Sequence, residues 1–100
     1  MGLSFLRLSV RKKVGTLEKR SIRKTNYDRL NDVLYLTLNT SRGRSYADSE
    51  SPIGIEILRD IETDEITGLV IYYAEKQERK RQEELSKIGW NLNIRELCES

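Results

Sequence analysis

The stretch from Asn26 to Tyr73 limits the fold more than any other part of the chain, because apolar and polar residues alternate along it in several short runs. A period of two places successive side chains on opposite faces of a β-strand. Segments rich in Asp, Asn, Ser and Gly separate the runs, and these residues are typical of turns. The pattern predicts a small antiparallel meander, in which each strand follows the last through a short turn.

The runs predict about four strands, and one of them has a distinct place. The run Ile66 to Tyr73 is apolar on both faces, which favours a central position in the sheet. Gly68 within this run indicates a bulge or the close approach of a neighbouring element. The polar segment 44–51 suits an edge strand, because polar and charged side chains discourage pairing with stray chains. The remaining runs predict strands at Val33–Leu38 and Ile53–Leu58, with a hairpin partner at Ile22–Tyr27.

Residues 74–88 predict a helix that follows the sheet. They are rich in Glu, Lys, Arg and Gln, contain no Gly or Pro, and precede Gly89, which is a stop signal. The apolar stripe of this helix is thin, and Trp90 beyond it is expected to fold back on the sheet. The predicted class is therefore α+β. One domain is expected over residues 25–100, with the sheet in 25–73, the helix in 74–88 and a C-terminal tail in 89–100.

Residues 1–24 differ from the rest of the chain in charge. They hold eight Lys and Arg residues against Glu18 alone, a net charge of +7, whereas the whole chain carries +2 and residues 25–100 therefore carry −5. Their apolar residues follow no clean period, so we expect a flexible basic arm that is dispensable for folding. A basic arm can also contact nucleic-acid phosphates, and the candidate contacts are Arg11, Lys12, Lys13, Arg20, Arg23 and Lys24.

Catalytic and metal-binding patterns are absent from the sequence. It contains no histidine, which is the commonest general base and metal ligand in proteins. Asp28 and Asp32 could be taken as a carboxylate pair, but no third ligand is near in the sequence, and a turn explains them better. Glu56 alternates with isoleucines, as an outward-facing strand residue does. We therefore predict no catalytic residue, no cofactor and no metal, and we expect that the protein is not an enzyme.

Cys98 is the single cysteine, so an internal disulfide is excluded and a reducing compartment is expected. No apolar run approaches the roughly 20 residues that a transmembrane helix needs. The apolar start of the chain is short and is interrupted by Arg7, which argues against a secretory signal. The sequence thus predicts a cytoplasmic protein that does not span a membrane.

The order of several short motifs resembles a known family. Tyr27-Asp28 is followed by the run Asp32–Leu36, then by Gly54–Ile57 and Gly68–Ile71. Over about residues 24–73 this order resembles DUF2283, a small bacterial domain of unknown function. The chain departs from the family because its Gly-Ile-Glu-Ile string lies in the penultimate strand, and because the basic arm and the charged helix lie outside the domain. The resemblance implies a small sheet and no activity; genes for such domains sometimes lie beside toxin-like genes, so it also implies an antitoxin-like option.

The predicted sheet carries large apolar residues on both faces, whereas one helix with a thin stripe can cover one face at most. This excess predicts a non-catalytic interaction module that forms a homodimer or binds a small protein partner through a sheet face. The predicted interface residues are Leu36, Val70, Tyr72 and Trp90. The alternative is a nucleic-acid-binding accessory protein that uses the basic arm. We expect such binding to be weak and nonspecific, because it would depend on phosphate contacts alone.

Overall fold

The computed structural model describes residues 17–99 as a five-stranded sheet with two helices. A short 3-10 helix at Lys19–Ser21 precedes the sheet. The strands are β1 Ile22–Asp28, β2 Val33–Leu38, β3 Ser45–Ala47, β4 Ile55–Asp60 and β5 Ile66–Tyr72. The helices are α1 Glu78–Lys87 and α2 Ile94–Cys98. Within this part of the chain, neither helix is long and apolar enough to cross a membrane.

All strand pairs are antiparallel, and the order across the sheet is β1-β2-β5-β4-β3. The predicted α+β class and antiparallel sheet are confirmed, with five strands where about four were expected. The segment after β2 runs to the far edge of the sheet, and the chain then returns through β3 and β4. As a result β5 lies between β2 and β4, at the centre, as its two apolar faces predicted.

One face of the sheet forms the core, which we call the core face. Alternate residues of β2, β4 and β5 point to this side, where both helices and the segment between them cover the sheet. Fully burying one such Leu or Ile stabilises the fold by about 1.5–3 kcal/mol relative to leaving it exposed. The two layers of the core include Leu34, Leu36, Ile55, Ile57, Leu69 and Ile71 in the sheet, and Leu17, Leu85, Trp90, Leu92, Ile94 and Leu97 against it.

Gly68 has the role that the sequence indicated, because a bulge and a close approach both occur there. The register between β4 and β5 moves from Leu58 opposite Gly68 to Arg59 opposite Ile66, so that Thr67 is an extra residue in β5. A Cβ atom on Gly68 would lie 2.7 Å from the carbonyl oxygen of Leu36 on the neighbouring strand. A larger residue at this position would therefore push β2 and β5 apart.

The first helix begins at Glu78, later than the predicted residue 74. Tyr73 has a positive φ of 54°, which turns the chain away from β5. The carboxylate of Asp32 then accepts hydrogen bonds from the backbone N–H groups of Glu75, at 2.8 Å, and Lys76, at 3.0 Å. These bonds hold the start of the predicted helix as a turn, so the expected boundary was wrong by one helical turn.

The end of α1 agrees with the prediction that Gly89 stops the helix. Gly89 has a φ of +80°, its N–H donates to the carbonyl of Ser86, and the N–H of Trp90 donates to the carbonyl of Leu85, both at 2.9 Å. These two bonds form a Schellman motif, which satisfies the last carbonyl groups of a helix. The motif turns Trp90 back into the core beside Leu85, as expected.

The predicted boundary between arm and domain at residue 24 falls inside β1 and is corrected by the structure. Leu17 lies in the core, and its carbonyl accepts a hydrogen bond from the N–H of Asn91 at 3.1 Å. Lys19 forms an ion pair with Glu96 of α2 at 3.6 Å. Residues from Leu17 onward therefore belong to the domain, and the rest of the expected arm lies outside the described residues.

Candidate interaction face

The second face of the sheet, opposite the core face, is the candidate site, and we call it the open face. Strand register assigns its residues, because each points to the side opposite to its neighbours in the core. Three rows of side chains cross the strands. The central row is Asn26, Tyr35, Val70 and Glu56; one outer row is Asp28, Val33 and Tyr72; the other is Lys24, Thr37, Gly68 and Leu58.

The open face is not part of the buried core cluster, and it differs from the core face in exposure. Val33 and Val70 are buried, but the tyrosines beside them remain accessible, with Tyr35 41% and Tyr72 39% exposed. The apolar residues of both helices pack against the core face. Within residues 17–99, no second layer covers the open face, and its aromatic rings therefore face outward.

Charge on the open face is distributed around the tyrosines. The hydroxyl of Tyr72 donates a hydrogen bond to Oε1 of Glu56 at 3.0 Å, and this bond raises the pKa of Tyr72. On β1, Lys24 and Asp28 lie at opposite ends of the face, with Asn26 between them. The side chain and N–H of Asn31 donate to the carboxylate of Asp28 and lower its pKa, so this group is a carboxylate at neutral pH.

One end of the sheet extends the open face with exposed apolar residues, and we call it the apolar end. Leu30, in the turn between β1 and β2, is 92% exposed. Ile53 precedes β4 and is 85% exposed, while Tyr73 follows β5 and is 56% exposed. The three residues lie at the same end because the register places the start of β2, the end of β5 and the start of β4 side by side.

The predicted interface residues divide between the two faces of the sheet. Val70 and Tyr72 lie on the open face, but only Tyr72 is accessible there, because Val70 is buried beside the tyrosines. Leu36 and Trp90 are buried in the core, so neither is available to a partner and both are removed from the candidate interface. The reason for Leu36 is strand alternation, which places it on the face that the helices cover, and the reason for Trp90 is the turn at Gly89.

Sequence reasoning missed four residues of the surface: Tyr35, Leu30, Ile53 and Tyr73. Alternation in β2 places Tyr35 on the face opposite Leu34 and Leu36, and this pattern was the sequence signal that could have identified it. Ile53 was predicted to begin a strand, but Gly54 has a φ of +82° and the strand begins only at Ile55. Leu30 follows Asp28, whose Oδ1 accepts its N–H at 3.1 Å, so the turn fixes its exposure.

Three of the basic residues proposed for nucleic-acid contact, Arg20, Arg23 and Lys24, lie among the described residues. Arg20 forms an ion pair with Glu18 at 3.0 Å, and Nη1 of Arg23 donates to the carbonyl of Ser41 at 3.3 Å. Lys24 lies on the open face. The other three residues, Arg11, Lys12 and Lys13, lie outside the described residues, so the nucleic-acid alternative stays a prediction.

The carboxylates considered for chemistry have separate structural roles. Oδ1 of Asp28 accepts the N–H groups of Leu30 and Asn31, which closes the turn after β1 as predicted. Asp32 binds the hydroxyl of Tyr27 and the turn before α1, and Glu56 binds Tyr72. Across residues 17–99, no group of three or more potential metal ligands comes together.

Comparison of the chain with protein-family models, with curated proteins and with solved structures found no match. The resemblance to DUF2283 therefore stays a prediction.

Proposed function

We propose that the protein is a non-catalytic interaction module that binds a protein partner through the open face. The observation that carries the proposal is the one-sided cover of the sheet: both helices pack against the core face, while Tyr35 and Tyr72 face outward on the other side. Tyrosine is enriched at protein interfaces because it buries a large ring while its hydroxyl still bonds to water or to a partner.

The proposed site includes the apolar end because the open face alone is smaller than a typical protein interface. Five strands about 4.8 Å apart, with a mean length of about six residues at 3.3 Å, give a face of roughly 24 by 20 Å, or about 480 Å2. A specific protein interface of standard size buries about 800 Å2 on each partner. The face alone supplies a little more than half of this area, and Leu30, Ile53 and Tyr73 extend it in one direction.

The roles of the carboxylates support a non-catalytic function. Asp28, Asp32 and Glu56 each hold a hydroxyl or backbone N–H group of the fold, and they lie in three different contacts. A catalytic pair would need two such groups directed at one reacting position. These separate contacts support a structural role for the three side chains.

A photo-crosslinking experiment tests the proposal for any partner. The photoreactive residue p-benzoyl-phenylalanine replaces Tyr35, whose exposed ring can be exchanged without disturbing the core. Irradiation in the native cells should give a covalent protein adduct of defined mass. The matched control has the same residue in place of Lys80, on the exposed surface of α1. An equal yield of adducts at the two positions, or none at position 35, would overturn the proposal.

A further inference from the structure

We propose that the occupant of the open face is a second copy of the chain. The two open faces pack against each other and are related by a twofold axis. This axis lies between the two sheets, perpendicular to the strands and parallel to the central row. This inference rests on the proposed function, because it names the partner for the same face. Twofold dimers are the commonest soluble oligomers, and facing sheets pack about 10 Å apart.

Charges on β1 favour this axis. Lys24 and Asp28 are separated by four residues, or about 13 Å along the strand, and Asn26 lies midway between them. A twofold axis through Asn26 exchanges the two outer rows, so Lys24 of each copy lies over the carboxylate of Asp28 in the other. Two opposite-charge contacts form in this way, one on each side of the axis.

The shapes of the outer rows fit the same axis. Tyr72 belongs to one outer row, and Gly68, on the same strand, belongs to the other. The rotation therefore places the ring of Tyr72 over Gly68 of the second copy, where the face has no side chain. Thr37 and Leu58 border this gap on the two neighbouring strands. A projecting ring thus meets a recess twice in the dimer.

The central row lies on the axis, where each residue faces its own copy. Tyr35 meets Tyr35 and Val70 meets Val70, which buries the exposed part of the aromatic rings. Glu56 also meets Glu56, and this like-charge contact opposes association. This repulsion between the two Glu56 side chains is expected in the dimer and not in a complex with a partner of different sequence.

A twofold axis parallel to the strands does not explain the charges. With that axis on β5, the edge strand β1 of one copy lies over β3 of the other. Lys24 then faces Ala47, which shares its row and carries no charge. The cation would lose water without gaining a partner, which is unfavourable. The axis across the strands is the one that pairs Lys24 with a carboxylate.

Sedimentation equilibrium of the purified full chain tests the proposed axis, with a substitution of Glu56 as the probe. Glu56→Gln removes the like-charge contact, and Gln can still accept the hydrogen bond of Tyr72. We expect the dissociation constant of the dimer to fall about two- to fivefold, because the substitution removes a repulsive contact between like charges at a sheet surface. Lys24→Glu should weaken the dimer by a similar or larger factor. A Glu56→Gln variant that associates more weakly than the original chain would overturn the proposed dimer.

Cross-linking tests the geometry independently. Asn26→Cys places a thiol beside the axis, so that a short bismaleimide should join two copies in high yield. Glu83→Cys, on the exposed surface of α1, is the matched control and should give little dimer. The native Cys98 is buried and its pKa is raised to about 11 by burial, so it should not react. Equal yields from the two variants would overturn the arrangement.

The two proposals fail in different ways. A purified chain that stays monomeric at high micromolar concentration overturns the second-copy proposal. If the adduct at position 35 then has a mass other than twice that of the chain, the open face still binds a protein and the proposed function stands. Absence of the adduct overturns both.

Discussion

At the scale of single residues, Asp32 shows how one side chain can join distant parts of the fold. Its carboxylate accepts the hydroxyl of Tyr27 at 2.7 Å and the N–H groups of Glu75 and Lys76, which are 43 and 44 residues away in sequence. Burial opposes ionisation of Asp32, but these three bonds outweigh it and lower the pKa of the carboxyl group. The carboxylate thereby connects β1, the turn before β2 and the turn before α1.

Substitution of Asp32 by Ala should lower the free energy of unfolding by about 1–3 kcal/mol, because three hydrogen bonds to a charged group are lost. Urea denaturation followed by circular dichroism measures this change. Glu62→Ala is the control, since Glu62 is an exposed residue of the turn between β4 and β5. An effect of Asp32→Ala no larger than that of the control would contradict the assigned role.

Acid should destabilise the protein, because the pKa values of Asp28, Asp32 and Asp60 are all lowered in the folded state. A carboxyl group with a lowered folded pKa contributes stability above its unfolded pKa of about 3.9, and this contribution is lost as the pH falls through the folded value. The melting temperature should therefore be level between pH 7 and about pH 5 and should fall below about pH 4. The decline should be smaller in Asp32→Asn, which cannot lose that proton-linked contribution.

At the scale of elements, local patterns located the strands, but contacts between distant residues decided where some elements begin. The strands β2 and β5 lie where alternation placed them, and Gly89 ends α1 through local backbone bonds. The start of α1 depends on Asp32, and no signal near residue 74 contains that information. Strand β4 starts two residues late because Gly54 adopts a positive φ under Arg81 of α1.

The contact between Gly54 and Arg81 connects α1 to the sheet. Nε of Arg81 donates to the carbonyl of Tyr72 at 2.7 Å, and its guanidinium occupies the space where a side chain at Gly54 would lie. Gly54→Ala should therefore cost about 1–3 kcal/mol of stability, from the positive φ and from displacement of Arg81. Thermal or urea unfolding measures the loss. Gly43→Ala, at a position with open space around it, should be nearly neutral; equal effects would refute the explanation.

At the scale of the whole molecule, the division between arm and domain was the least predictable feature. Charge dominates residues 1–24 and hides Leu17, which the structure places in the core. The open face was predictable as an excess of apolar residues on two sides of a sheet. Which side remains open was not, because Trp90, Leu92, Ile94 and Leu97 supply a cover that a thin helical stripe alone does not suggest.

Two truncations should separate the arm from the domain. Removal of residues 1–16 should leave a cooperative unfolding transition. Removal of residues 1–24 deletes Leu17 and the first half of β1, and it should lower stability by several kcal/mol, of which burial of Leu17 accounts for about 2 kcal/mol. Differential scanning calorimetry distinguishes the two. A shorter chain that melts at the same temperature as the longer one would show that Leu17 and β1 are not needed.

The strand order also sets the route by which the chain folds. The hairpin of β1 and β2 closes through a short turn, and β3, β4 and β5 are likewise joined as neighbours, so each unit can form in microseconds. The sheet is complete only when β2 pairs with β5, which closes a long loop, and we expect this pairing to be the slow step. Lengthening the connection 39–44 should slow refolding in stopped-flow measurements by at most a few-fold, because each doubling of loop length costs only about 0.6 kcal/mol. Gly68→Ala should slow refolding by a larger factor, because the added Cβ would clash with the carbonyl oxygen of Leu36 where β5 pairs with β2.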